Sequence, residues 1–190
     1  MFNIEVDHRH LDDIRKRLRL TEKQYRASLK RAVKRTAGTA RAAIGKSKLG
    51  ISDLRRTTTL RKRVRPLFSE VGDMKTGIWI GLNDLWASEF AAGRPKRTPT
   101  GVDFRGQHFQ GAFLVRHAGA KRSRIYRNEN GKLVEMTIPI AEQAADYLDR
   151  HIVPDLPAQL LHHFQSDSEF RKQIGASLSG KGARRKFYRT

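Results

Sequence analysis

Histidines and carboxylates are the material from which a catalytic or metal site would have to be built, because the chain contains no cysteine. Without thiols there is no disulfide, no zinc–thiolate site and no cysteine nucleophile. His8, His10, Asp12 and Asp13 stand close enough in sequence to be drawn as a metal site. All four crowd the start of one short helical segment, where carboxylates complement the helix dipole, so capping and solvation account for them. His162 and His163 are adjacent, and on a helix their rings diverge by ~100°, which does not make a ligand pair. Tyr188 is late enough for a tyrosine recombinase, yet neither His117 nor His162 is followed by the arginine that chemistry needs. The chain has no Gly-x-x-x-x-Gly-Lys phosphate cradle and no Gly-x-Ser-x-Gly elbow. Nor does it set two carboxylates beside its strand sequence, as a nuclease would to hold metal ions. The expectation is a protein that is not an enzyme and uses no cofactor or metal.

What the sequence offers in quantity is positive charge: 39 Lys and Arg against 19 Asp and Glu, a formal +20 over 190 residues. A chain so charged repels its own copies and attracts polyanions, so a nucleic acid or an acidic protein surface is the expected neighbour. On a helical wheel Lys23, Lys30, Lys34 and Arg41 fall in one narrow arc, a line of charge about 27 Å long. Arg31 and Arg35 widen it. The arc carries no glutamate at helical spacing to neutralise it, which leaves it for an outside partner. A second group, Arg94, Lys96 and Arg97, lies in a stretch with two prolines and two glycines between Gly93 and Gly101. That stretch reads as an exposed basic loop without regular structure. A third, Arg184, Arg185 and Lys186, belongs to a tail with no core-forming period.

These groups need a scaffold, and its centre is Met74 to Ile140. Gly77–Leu82, Gly111–Val115 and Leu133–Ile138 are short apolar runs bounded by Gly, Asn or Pro, the pattern of half-buried antiparallel strands. Asn128-Glu129-Asn130-Gly131 is a hairpin turn, since Asn-Gly accepts positive φ. Leu60 to Arg65 alternates and reads as a further strand. Phe2, Ile4 and Val6 give an edge strand, followed by a short helix from His8 to Leu20. Thr21 with Gln24 forms a capping box for the longest helix, whose Tyr25, Leu29, Ala32, Val33, Thr36, Ala40, Ala43 and Ile44 make one apolar stripe of mostly small residues. Gly50 ends that helix, and Ser52 caps a short turn after it. Ala141 to Val153 is helical up to Pro154, and a last helix starts at Asp155, with Ser166–Glu169 as a break. Trp79, Trp86, Phe90 and Phe113 are expected in the core. The fold class is α+β: a twisted antiparallel sheet of four to six strands, packed by the long basic N-terminal helix, with C-terminal helices. Residues 1–20 supply a strand and short helix, 21–175 one domain, and 176–190 the basic tail. No run is long enough to span a membrane.

No zinc finger, homeodomain or RNA-recognition motif is visible. One combination is familiar. It comprises Arg31-Ala32-Val33-Lys34-Arg35-Thr36-Ala37, Gly77-Ile78-Trp79-Ile80-Gly81-Leu82-Asn83, Gly101-Val102-Asp103-Phe104-Arg105-Gly106 and Gly111-Ala112-Phe113, closed by Ile125-Tyr126-Arg127-Asn128 and Thr137-Ile138-Pro139-Ile140. From about Thr21 to Phe170 the chain resembles the prophage minor tail protein Z family, the tail completion proteins of long-tailed bacteriophages. The resemblance implies a structural virion protein, assembled in the host bacterial cytoplasm, that forms a ring at the head-proximal end of the tail and helps join tail to neck. A homo-hexamer is the natural ring by analogy with six-fold tail tubes. The implied partners are further copies of the chain, the tail tube or tail terminator, and neck proteins. Genome DNA and the tape measure protein are further candidates. The alternative is a non-specific DNA-binding protein acting as a free monomer or dimer, whose affinity would come from counterion release.

Overall fold

A computed structural model describes residues 2–5, 9–51, 53–68, 76–91, 93–116, 118–119 and 122–173. The basic tail with Arg184, Arg185 and Lys186 lies outside these, as do His8, Ser52, His117 and Tyr188. In chain order come β1 (Phe2–Glu5), α1 (Arg9–Leu18), α2 (Glu22–Ser47), α3 (Thr58–Lys62), β2 (Val64–Phe68), β3 (Thr76–Ile80) and β4 (Leu85–Trp86). Then follow β5 (Lys96–Thr98), β6 (Gly101–Phe104), β7 (Gln107–Gln110), β8 (Ala112–Val115), β9 (Arg124–Glu129), β10 (Lys132–Glu135) and β11 (Thr137–Ile138). The last helices are α4 (Ala141–His151) and α5 (Leu156–Gln173). The chain is thus α+β, with antiparallel sheets, a long N-terminal helix and C-terminal helices.

The start of α2 forms as its sequence dictates. Thr21 Oγ1 accepts from the Gln24 backbone N–H at 3.3 Å, while Gln24 Oε1 accepts from the Thr21 N–H at 2.9 Å. Two donors left over at the helix start are satisfied reciprocally. Tyr25, Ser28, Leu29, Ala32, Val33, Thr36, Ala37, Ala40 and Ile44 are buried along one stripe; Ala43, expected there, is exposed. The small residues let α5 approach closely, and α5 rather than a sheet is the broadest partner of α2. α3, β2 and β3 cover another side of it. α5 runs unbroken through Ser166–Glu169, because Asp167 and Ser168 point inward there. Leu11 and Ile14 of α1 join the same buried cluster as Phe164, so the N-terminal segment shares the core.

The strands divide into three three-stranded sheets, β1-β3-β2, β10-β9-β8 and β5-β6-β7, and one pair, β11-β4. They do not form one sheet of four to six strands. The division has a visible hinge at Met136, whose N–H donates to Ile125 O while its own carbonyl accepts from Ala87 N–H. The strand thereby passes from one neighbour to the other. The Asn130-Gly131 turn is as read, with φ of 53° and 81°, and Asn128 Oδ1 accepts from the Gly131 N–H at 2.9 Å.

Two assignments change. Leu60 to Arg65 is not one strand: Leu60 is buried inside α3, Arg63 turns, and β2 starts at Val64. Leu60 is fixed by α2 packed above it, a contact that alternation in the sequence cannot register. The stretch Gly93–Gly101 is not irregular throughout, since Lys96–Thr98 pairs with β6 in register Lys96↔Asp103, Arg97↔Val102 and Thr98↔Gly101. Pro95 and Pro99 bracket β5 without interrupting it. Gly101 is required for close approach, because a Cβ there would overlap the Phe109 carbonyl oxygen. The next turn is Arg105-Gly106, both with positive φ, and His108 lies inside β7.

Candidate functional site

The line on α2 is shorter than its spacing suggests. Lys23, Lys30 and Lys34 are exposed. Arg41 instead turns inward, half-buried, and donates from Nη2 to the Val64 carbonyl oxygen at 2.8 Å. That is a correction to its assignment as a partner-facing cation: the guanidinium brackets α2 to β2. Lys30 holds its ammonium 5.6 Å from the Phe68 ring centroid. The two contacts run in opposite senses along the two elements, Arg41 at the start of β2 and Lys30 at its end. The charged flank therefore follows the seam between α2 and β2.

The flanking cations belong to α5. Arg31 Nη1 lies 3.0 Å from Asp167 Oδ1, and Arg171 Nε lies 2.6 Å from Asp167 Oδ2. The carboxylate is 1% exposed and holds two guanidiniums, which is how a buried charge is compensated. Arg35 lies near His163, whose pKa is lowered, first by burial and then by the charges of His162 and Arg35. At the other end of α2, Tyr25 packs edge-on to Phe164, ring centroids 5.5 Å apart. Burial, then the carboxylate of Asp12, pushes its hydroxyl up to about 12. Glu22 bridges Arg26 at 2.6 Å and Arg15 at 2.8 Å, and the hydrogen bond from Arg26 lowers its pKa.

Of the second basic group, Arg94, Lys96 and Arg97 are all exposed. They stand on or just before β5, a hairpin edge and not a free loop. The same hairpin brings together a set the sequence reading missed. His108 Nδ1 lies 2.6 Å from Asp103 Oδ1, and Thr100 Oγ1 lies 3.1 Å from His108 Nε2. Hydroxyl, imidazole and carboxylate in that order is the arrangement of an activated nucleophile. Here Asp103 and His108 are also a directly paired cross-strand couple, and both are exposed to water. The trio ties the Thr100 turn to β7, and Asp-x-x-x-x-His across a two-residue turn is the signal that would have found it. Among the described residues no three His, Asp or Glu side chains cluster as metal ligands would, and no helix is long and apolar enough to cross a membrane.

A further surface was expected in the core. Phe90 is buried and Trp79 half-buried, but Trp86 is 56% exposed and Phe113 41%. In the register Phe113↔Tyr126↔Glu135, Phe113 stands on the open face of the β8–β9–β10 sheet. Leu133, 59% exposed, lies two residues from Glu135 on that face. Trp86 is opposite Thr137, the next step along. Arg124 contacts Glu135 at 3.3 Å, and its pKa is raised, first by the hydrogen bond to Tyr126 and then by the charge of Glu135. The result is an uncovered apolar and aromatic face with a cation at its edge, a pattern usual where another molecule docks.

Compared with protein-family models, with curated proteins and with solved structures, the chain matches none of them.

Proposed function

We propose that the chain is a structural assembly protein of a phage particle, forming a ring at the head-proximal end of the tail and helping to join tail to neck. It works by holding its neighbours rather than by transforming a substrate. The observation that carries this reading is the α2 flank. Its exposed Lys23, Lys30 and Lys34 recur on a stripe that contains no carboxylate, on a chain of net charge +20. The open face around Phe113, Leu133 and Trp86 adds a second, apolar contact area. The sequence resemblance to tail completion proteins supplies the setting.

Gold-labelled antibody against the chain is expected to decorate the head–tail junction of purified particles. Particles made without the chain are expected to fall into separate heads and tails. Label absent from purified particles overturns the reading. The α2 flank also favours one other reading, a free DNA-binding protein. That reading requires the isolated monomer to bind duplex DNA with steep salt dependence and to sediment without rings.

A further inference from the structure

Six large apolar side chains are exposed among the described residues, and four of them, Trp86, Phe113, Leu133 and Val134, stand on β4, β8 and β10. Two of the four are neighbours in one strand. Successive residues of a strand point to opposite faces, so with Leu133 59% and Val134 38% exposed, β10 is open to water on both faces. It is open along one edge as well. β10 ends the sheet β10-β9-β8, and among the described residues no strand or isolated bridge pairs with its far side.

One residue fixes which backbone groups that edge presents. The Met136 N–H donates to Ile125 O and its carbonyl accepts from Ala87 N–H, so both groups turn toward the side of β9 and β4. Antiparallel pairing alternates, so Val134 and Lys132 turn the same way, opposite Arg127 and Glu129. Leu133 and Glu135 therefore turn their N–H and C=O outward. No proline between Lys132 and Ile138 removes a donor. β5, also an end strand, is by contrast bracketed by Pro95 and Pro99 and carries Lys96 and Arg97.

Charge selects what pairs here. On a chain of net +20, residues 124–135 carry three cations against two carboxylates. Glu135 holds Arg124, and Glu129 holds Arg127. A polyanion finds little to attract it at this hairpin, and a second copy finds little to repel it, since charge farther off is screened beyond about 8 Å.

We propose that β10 pairs antiparallel with β10 of a second copy about a two-fold axis, joining two three-stranded sheets into one of six strands. Such an axis stands normal to the sheet, so each face continues as the same face and only residues of one face pair across it. Leu133 of one copy then meets Glu135 of the other, and Val134 meets Val134. In that register four backbone hydrogen bonds satisfy every outward group of Leu133 and Glu135 in both copies. The exposed Leu133 and Val134 side chains gain neighbours on both faces. The contact is independent of the assembly reading above.

The test uses the full chain, which contains no cysteine. Val134→Cys sets two thiols across a pair whose Cα atoms lie about 4.5 Å apart, within disulfide reach, and mild oxidation is expected to give a covalent dimer. In Leu133→Cys the thiols are offset along the strands, and at least about tenfold less dimer is expected. Leu133→Pro removes an outward donor without taking one from β9. It is expected to weaken dimerisation at least about tenfold in sedimentation velocity. Rising salt is expected to tighten the wild-type dimer, because it screens the repulsion between two +20 chains. Circular dichroism and melting temperature check each fold, and the cysteine pair of variants serves if the proline variant unfolds. A wild type that stays monomeric at every salt, a dimer loosened by salt, or a folded Leu133→Pro that dimerises normally each overturns the inference. So does cross-linking of Leu133→Cys that matches or exceeds that of Val134→Cys. Labelling of the neck reads the assembly role separately: label there with no cross-link discards this contact alone, and cross-linked dimer with no label discards the assembly reading alone.

Discussion

The α2–α5 interface and the open face of β8–β9–β10 invert the usual distribution of residue types. Between the helices lies a carboxylate at 1% exposure, with two guanidiniums and two fully buried serines, Ser28 and Ser168. On the sheet Phe113 and Leu133 are left in water, as is Trp86 on the neighbouring β4–β11 pair. Polarity alone therefore does not decide burial. Asp167 is tolerated inside because Arg31 and Arg171 reach it, and Phe113 is outside because, among the described residues, nothing covers it. The first region is closed by its own chain, and the second awaits cover.

The comparison can be broken most severely at its charged centre. Asp167→Ala strands the buried Arg171 guanidinium, the half-exposed Arg31 being free to turn to water, and chemical denaturation is expected to show a loss of about 3–5 kcal/mol. A loss under 1 kcal/mol would mean that the pair is dispensable to the closed region. Gly101→Ala is next: the new Cβ meets the Phe109 carbonyl, a backbone group that cannot swing aside, so the β5–β6–β7 hairpin must shift. About 1–3 kcal/mol is expected, read as a lowered melting temperature. Acid should sharpen the contrast more gently. The pKa of His163 is lowered in the folded chain, so its stabilising contribution is present above its ordinary value of 6.5 and is lost as pH falls below that through the folded value. A stability profile flatter in His163→Gln than in the wild type over that window is the expected result. Trp86→Ser and Phe113→Ser should move stability least, within about 0.5 kcal/mol, because little apolar area is uncovered that was not already wet. If either costs as much as a core truncation, the face is not open.

Local signals in the sequence were reliable where neighbours in sequence supply the whole interaction. Thr21 with Gln24, Asn130 with Gly131, and the buried stripe of α2 needed only a few adjacent residues to be recognised. Where a distant element decides, the reading went astray. Leu60 looks like part of a strand until α2 lies over it, and Lys96–Thr98 looks like loop because its strand character comes from pairing with β6. Arg41 belongs on the cationic line by angle, yet its guanidinium is taken by a carbonyl 23 positions away. Trp86 and Phe113 read as core from type, since composition carries no record of which sheet face lacks a cover. The candidate site was therefore half legible: Lys23, Lys30 and Lys34 could be found by spacing, whereas the Thr100–His108–Asp103 staple emerged only with the fold.

The bracket from Arg41 to Val64 has one more effect, on how copies of the molecule can grow together. β2 is the last strand of its sheet, and its Arg63 carbonyl is spent inward on the Gly81 N–H. Successive carbonyls alternate between the two sides of a strand, so the Val64 oxygen faces outward, where Arg41 occupies it. Two residues on, Pro66 has no hydrogen to offer on that same side. A foreign strand arriving at this rim finds one acceptor taken and one donor missing, so lateral zippering of sheet to sheet is disfavoured there. A superstructure built through this rim is therefore better fastened by side chains than by backbone pairing.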